Sequence, residues 1–262
     1  MDVNEISEGT SLGEEAYQAL RQALISGRYL PGQKITLRAL AAGLGMSVTP
    51  VREAIHRLSA ERALEGTVQR SVRVPTMTRE KILELRDIRL AVEGLAAARA
   101  AEHCTASEIR ALRVIAIEIM AARQRRDVAT DIAKLTEYQF AVYRMSRMPR
   151  LVQLIESLWL QTGPCLRLLY PDYIDALKTD WRGKLSRALE ARDPEAARRA
   201  VESDVGPALT FIADLADATG VIHADRQRDA ASTAPGRGRK RSSPRNAVAA
   251  ADFPSGGTPT RA

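Results

Sequence analysis

Histidine and cysteine are nearly absent from this 262-residue chain: three histidines, His56, His103 and His223, and two cysteines, Cys104 and Cys165. The cysteines stand in no metal-ligand spacing, and two are too few for a disulfide framework; with no secretory signal they fit a reduced, cytoplasmic setting. Aromatic residues make up only 4%. No apolar run is long enough to span a bilayer, so no membrane partner is expected. The N-terminus carries Asp2, Glu5 and Glu8, unlike a signal or transit peptide. The chain offers no nucleophile–base pair, phosphate-binding loop or metal cluster. It is therefore read as a non-enzyme without a cofactor. Strand-like runs are rare outside residues 63–75, which leaves a mainly α fold.

Apolar residues reach 45%, enough for a real core, and the length accommodates two modest domains and a tail. The net charge of +7 is unevenly placed. Residues 20–74 carry +6 and residues 221–262 carry +5, so the remainder is slightly acidic. Positive charge concentrated on two segments points to a polyanionic partner.

The stretch GLGMSVTPVREAIHRLSA, residues 43–60, reads as the turn and second helix of a helix-turn-helix. Gly43 and Gly45 stand where a first helix must stop and the chain turn, because glycine reaches positive φ without a Cβ clash. Ser47 is expected as the N-cap, its hydroxyl accepting an amide bond from the first turn. Pro50 falls within that turn, where its missing N–H costs nothing. Val51, Ile55 and Leu58 form one apolar stripe, and Thr49, Arg52, His56 and Arg57 lie opposite. Residues 36–43 form the preceding helix, capped by Thr36, and residues 12–26 an amphipathic helix packed behind the pair. Residues 27–34 read as a loop. ALEGTVQRSVRVP alternates and is rich in β-branched residues, which predicts a hairpin wing with Arg70 and Arg73 at or near its tip.

The run GRYLPGQKITLRALAAGLGMSVTPVREAIHRLSAERALE resembles the winged helix-turn-helix of GntR-family bacterial transcription regulators. Gly27, Pro31, Gly32, Leu40, Ala41, Leu44, Gly45, Ser47 and Thr49 through Ala54 stand as in the family pattern. Val48 departs from it, replacing an arginine that reaches DNA bases in the family. The resemblance implies a regulator, acting as a repressor, that binds a double-stranded operator as a homodimer. Half-sites would lie about 34 Å apart. It places Arg38, Ser47, Thr49, Arg52 and Arg70 at the DNA. Arg38 matches a family arginine, Arg52 lies within the V-R-E-A motif, and Arg70 reaches out from the wing.

From Thr78 to about Thr219 the pattern is helix after helix, six with short connections, which predicts an antiparallel all-α bundle. The six run from Thr78 to about His103, Thr105 to about Arg125, Val128 to about Arg147, Pro149 to about Leu169, Tyr173 to Arg192, and Pro194 to near Gly220. The segments ELRDIRLAVEGLAAARAAE, YQFAVYRMSRMPRL and ALEARDPEAARRAVESD resemble the FCD effector domain of the FadR-like branch. Six helices rather than seven resemble its VanR-like subgroup. Many such domains hold a divalent metal with one Asp and three His. Alignment on the shared segments puts Leu135, Gln139, Arg182 and Asp204 at those four positions, so a metal-free domain is expected. Arg89, from the family's R-x-x-x-E motif completed by Glu93, and Arg182 would instead grip a small anionic effector such as a carboxylate. Gln139 would add an amide and Asp204 would complete the constellation. An internal ion pair between Arg182 and Asp204 is the competing reading.

The expected organisation is a disordered segment 1–11, a winged helix-turn-helix 12–75, an effector and dimerisation domain 78–219, and a disordered basic tail 221–262. GRGRKRSSPR in the tail could follow phosphates or enter a minor groove. A second reading stays open: an architectural, low-specificity DNA binder whose effector domain is degenerate and ligand-free.

Overall fold

The computed structural model describes residues 11–66 and 71–223. The N-terminal unit is built on three helices, α1 (Leu12–Ile25), α2 (Leu37–Leu44) and α3 (Val48–Ala60). The Ser11 hydroxyl accepts from the Glu14 amide and starts α1, and Thr36 does the same for α2 through the Ala39 amide. α2 ends at Gly45, whose φ of 65° is left-handed; Gly43 lies inside α2 instead of marking its end. Val51, Ile55 and Leu58 are fully buried and seat α3 against α1 and α2.

The wing differs from a simple hairpin. Strand β1 (Lys34–Thr36), within residues read as a loop and a cap, pairs antiparallel with β2 (Ser71–Arg73). Glu65 bridges Arg73 from the other side, their backbones exchanging bonds of 2.9 and 2.8 Å. Arg70 and the wing tip, residues 67–70, lie outside the described residues, as does the N-terminus apart from Ser11.

The C-terminal unit contains α4 (Arg79–His103), α5 (Ala106–Gln124), α6 (Val128–Met145), α7 (Pro149–Thr162), α8 (Asp172–Ala176), α9 (Trp181–Ala191) and α10 (Pro194–Asp214). Side-chain caps from Thr78, Thr105, Asp127, Asp180 and Asp193 start five of them. Gly94, Ala97 and Ala101 are small enough to let α4 and α10 pack closely along their lengths. Trp159 and Trp181 are core residues, as are Cys104 and Cys165; burial pushes the Cys165 thiol up to about 12.

Three helix expectations are corrected. The fourth bundle helix tightens at Gly163 into a 3-10 helix, Gly163–Leu169, because Pro164 has no N–H to return to the Leu160 carbonyl. The expected helix Tyr173–Arg192 is two pieces, α8 and α9: the backbone turns extended at Leu177, and the Asp180 carboxylate accepts from the Gly183 amide to cap a new start. The last helix stops at Asp214. Val221 and Ile222, assigned to a disordered tail, form β4, which pairs antiparallel with β3 (Met77–Thr78) at the junction of the two units. The rest of the tail lies outside the described residues.

The two units meet where the end of α1 lies on the start of the 3-10 helix. A Cβ on Gly163 would fall 2.6 Å from the Ile25 Cα and 2.7 Å from the Leu24 carbonyl oxygen, so only glycine permits this approach. Alongside, Arg21 of α1 donates to Glu156 of α7 at 2.6 Å.

Candidate functional site: a nucleic-acid interface and two effector cavities

The amino end of α3 is chemically unspent. Ser47 occupies the N-cap position, yet its hydroxyl makes no capping bond, and no acidic residue lies in the first turn. The orphan amides there and the positive end of the helix dipole are left for an anion. Ser47, Thr49 and Arg52 are exposed, as is Arg38 in the first turn of α2. None of the four side chains makes an ion pair or hydrogen bond among the described residues. Thr49 and Arg52 are three residues apart and share a face. Arg57, grouped with them by periodicity, turns back instead: it donates to Glu14 at 2.5 Å and lies 3.7 Å above the Tyr17 ring. Arg57 holds α3 to α1, and that contact spans 43 residues of sequence, so helical spacing gives no sign of it.

Inside the bundle, Arg89 and Gln139 are buried and already engaged. Arg89 donates to Glu93 at 2.5 Å and to the Thr162 hydroxyl at 2.8 Å. Glu93, fully buried, also accepts from the Tyr143 hydroxyl at 2.5 Å and the Trp159 indole at 2.9 Å. Tyr143 stands 2.9 Å from the Gln139 carbonyl oxygen, and the Gln139 amide donates to Asp204 at 2.8 Å. One chain of bonds therefore runs from Arg89 to Asp204. Burial pushes the Asp204 carboxyl up to about 6, against the pull of Arg182 and with added repulsion from Glu93.

Arg182 stands apart from this chain. Its guanidinium reaches the Met120 sulfur at 4.0 Å and lies 5.3 Å from the Trp181 ring, and Nη1 is buried without a hydrogen-bond partner. No ion pair joins it to Asp204, whose Oδ2 accepts from Gln139. Burial, then the nearby Arg123, lowers the Arg182 pKa. The void lined by Arg89, Gln139, Asp204 and Tyr173 measures about 30 Å³, room for one water. Leu135 supplies no donor to it. Among the described residues no three His, Cys, Asp or Glu side chains cluster to hold a metal. The donor set therefore does not fit the family's divalent ion.

A second cavity of about 550 Å³ lies beside the first and shares Arg123 and Ile174 with it. It is walled by the α5–α6 turn, the 3-10 helix, α8 and the end of α10. No sequence motif announces it, because its walls come from four separate segments.

Comparison with known proteins fits this architecture. Residues 12–74 match the model of bacterial regulatory proteins of the gntR family, and residues 84–206 match the FCD domain. The chain is 32% identical to the HTH-type transcriptional regulator McbR of Escherichia coli (strain K12) over 72% of its length and 86% of that protein. It is 28% identical to the "Probable D-xylose utilization operon transcriptional repressor" of Paenarthrobacter nicotinovorans, over 76% of this chain and 88% of the other. The solved structure of E. coli McbR/YncC superposes with a TM-score of 0.72 at 29% identity, covering 78% of this chain and 97% of that one. Among the described residues no helix is long and apolar enough to cross a membrane. With two domains in this order and a relative matched over most of both chains, the chain belongs to the GntR family of bacterial transcription regulators and carries an FCD domain.

Proposed function

We propose that the chain is a sequence-specific repressor that binds a near-palindromic operator as a homodimer and releases it when the FCD domain takes up a small carboxylate-bearing metabolite without a metal. The observation that carries the DNA reading is the unspent amino end of α3. Arg52, Thr49 and Ser47 are solvent-facing donors with no partner of their own. A recognition helix presents such groups to base edges and phosphates. Arg38 adds a phosphate contact from α2, and Arg70 extends the contact from the wing. The relative named as a repressor supports the sign of regulation. The six long bundle helices, with α8 a single short turn beside them, favour the VanR-like subgroup of the FadR-like branch. We divide the chain between residues 75 and 78, where β3 begins the link to α4.

Arg182 supports the effector reading: it has a buried guanidinium nitrogen and no carboxylate of its own. An anion beside it would meet a charge the protein leaves unmatched, with Gln139 and Asp204 adjoining and Arg89 holding the frame. Selection of bound duplex from a random pool tests the DNA reading. One enriched near-palindrome is expected, and Arg52→Ala should weaken its binding by roughly 1–3 kcal/mol. Uniform binding of all sequences, with Arg52→Ala no weaker than wild type, would overturn specificity in favour of an architectural role.

A further inference from the structure

We infer that the 550 Å³ cavity is the seat of the effector, and that its ligand is a zwitterion with an apolar body: an ammonium and a carboxylate on a hydrocarbon or aromatic side chain. The inference rests on the reading of the FCD domain as a sensor. It replaces the inner void as the place where the ligand's bulk sits, because about 30 Å³ holds no organic molecule whereas about 550 Å³ is an ordinary ligand volume.

The chemistry follows from the walls. Val128, Leu168, Ile174, Phe211 and Leu215 give the cavity an apolar lining. Both signs of charge stand on the walls, Arg126 and Arg167 against Asp172 and Asp175, so a simple anion would meet carboxylates as well as arginines. Arg126, on the α5–α6 turn, pairs with Asp175 of α8 at 3.8 Å, and both side chains are largely exposed. So long and so wet an ion pair contributes almost nothing to stability. A zwitterion exchanges it for two closer ones, carboxylate on Arg126 and ammonium on Asp175, while its side chain leaves water for the apolar lining. An acid or an amine alone would satisfy one partner and strand the other.

The same walls lead to the DNA-binding unit. Arg167 and Leu168 belong to the 3-10 helix, whose first residue, Gly163, abuts the end of α1. His223 follows β4, and β4 pairs with β3 just after the wing. A ligand that draws α8 toward the α5–α6 turn therefore acts on two segments that hold the DNA-binding unit in place.

The test is thermal unfolding and calorimetric titration of the full chain with L-leucine and L-phenylalanine, each beside its deaminated acid and its decarboxylated amine. A panel of dicarboxylic and hydroxy acids is run in parallel. We expect an amino acid to raise the midpoint while its acid and amine analogues do not. Arg126→Gln and Asp175→Asn, both at exposed positions, should each weaken binding by about tenfold or more with the ligand-free midpoint unchanged. If other carboxylates bind, and Arg182→Leu abolishes their binding while the Arg126 and Asp175 variants do not, the zwitterion inference falls and the sensor reading stands. If no compound of either kind binds, both fall. Binding that survives both outer-cavity variants also overturns the inference.

Discussion

Replacing Gly163 by alanine should loosen the junction between the two units. The backbone there is helical, φ −52° and ψ −43°, so alanine brings no conformational strain. The cost lies entirely in what the new methyl meets. Its Cβ would lie 2.6 Å from the Ile25 Cα and 2.7 Å from the carbonyl oxygens of Leu24 and Ile25, whereas ordinary contact begins at 3.4 Å. All three obstacles are backbone, so no side chain can rotate away. The end of α1 must retreat by about 0.8 Å, and Leu24 and Ile25 are both core residues. Overpacking of this kind costs about 1–3 kcal/mol. For a chain of this size that lowers the unfolding midpoint by about 2–12 °C.

Far-ultraviolet circular dichroism on heating reads the effect. Gly206→Ala is the control, because it lies inside α10 and its new Cβ would meet only Leu90 side-chain carbons at 3.6 Å or more. There alanine should be neutral or stabilising by about 0.5–1 kcal/mol, as for glycine to alanine within a helix. If Gly163→Ala melts with or above the wild type while Gly206→Ala behaves as stated, α1 and the 3-10 helix do not meet at this distance. The proposed route from the cavity to the DNA-binding unit would lose its main contact.

Two further perturbations probe the buried chain of bonds. Glu93→Gln removes the charge opposite Arg89 in a fully buried site and should cost about 3–5 kcal/mol, read as a lowered denaturation midpoint; a midpoint within error of wild type would refute the buried ion pair as a support of the fold. Asp204→Asn bears on pH. The folded carboxyl titrates near 6 against 3.8 when exposed, so the folded state holds this proton more tightly and the group's contribution to stability is lost as pH rises from about 4 to about 6. Asparagine can still accept from Gln139 and removes that loss, so the variant should gain on wild type across this interval and hold a constant lead above it. A lead that shrinks with rising pH would reverse the assigned shift.

What could be read from the amino acids is what depends on neighbours within a turn or two. The caps at Thr36, Thr78 and Thr105, the stripe Val51–Ile55–Leu58 and the left-handed Gly45 each follow from local sterics and hydrogen bonding, and each stands in the fold. β1 and β4 are illegible because each is two or three residues long and exists only through a partner 35 or more positions away. Pro164 is a breaker that the sequence shows openly, and the helix expected through to Leu169 takes no account of it. Ser47 shows the converse error: residue type and position indicate a cap, but its hydroxyl is left over. In a DNA-binding helix a cap already spent on its own amides would have less to offer a phosphate.

The candidate effector residues divide along the same line. A departure from a family's ligand pattern can be sought position by position in a sequence, but where Arg89 spends its charge cannot. Glu93 lies one turn away on α4, whereas Tyr143 and Trp159 reach it from α6 and α7. Their convergence decides the energetics. An arginine held by a fully buried carboxylate cannot turn to a ligand without leaving that carboxylate as an uncompensated charge in the core, held there by a phenol and an indole. Arg89 is thus a poor hand for a ligand and a good post for α4. Arg182 has the opposite endowment, a buried nitrogen with no partner and a carboxylate neighbour committed elsewhere. The constellation thus holds one arginine locked and one unspent, and the unspent one feels the charge of Arg123, which borders both cavities. A ligand seated in the larger space therefore needs only Arg123 to shift for its charge to be felt by Arg182 and Asp204.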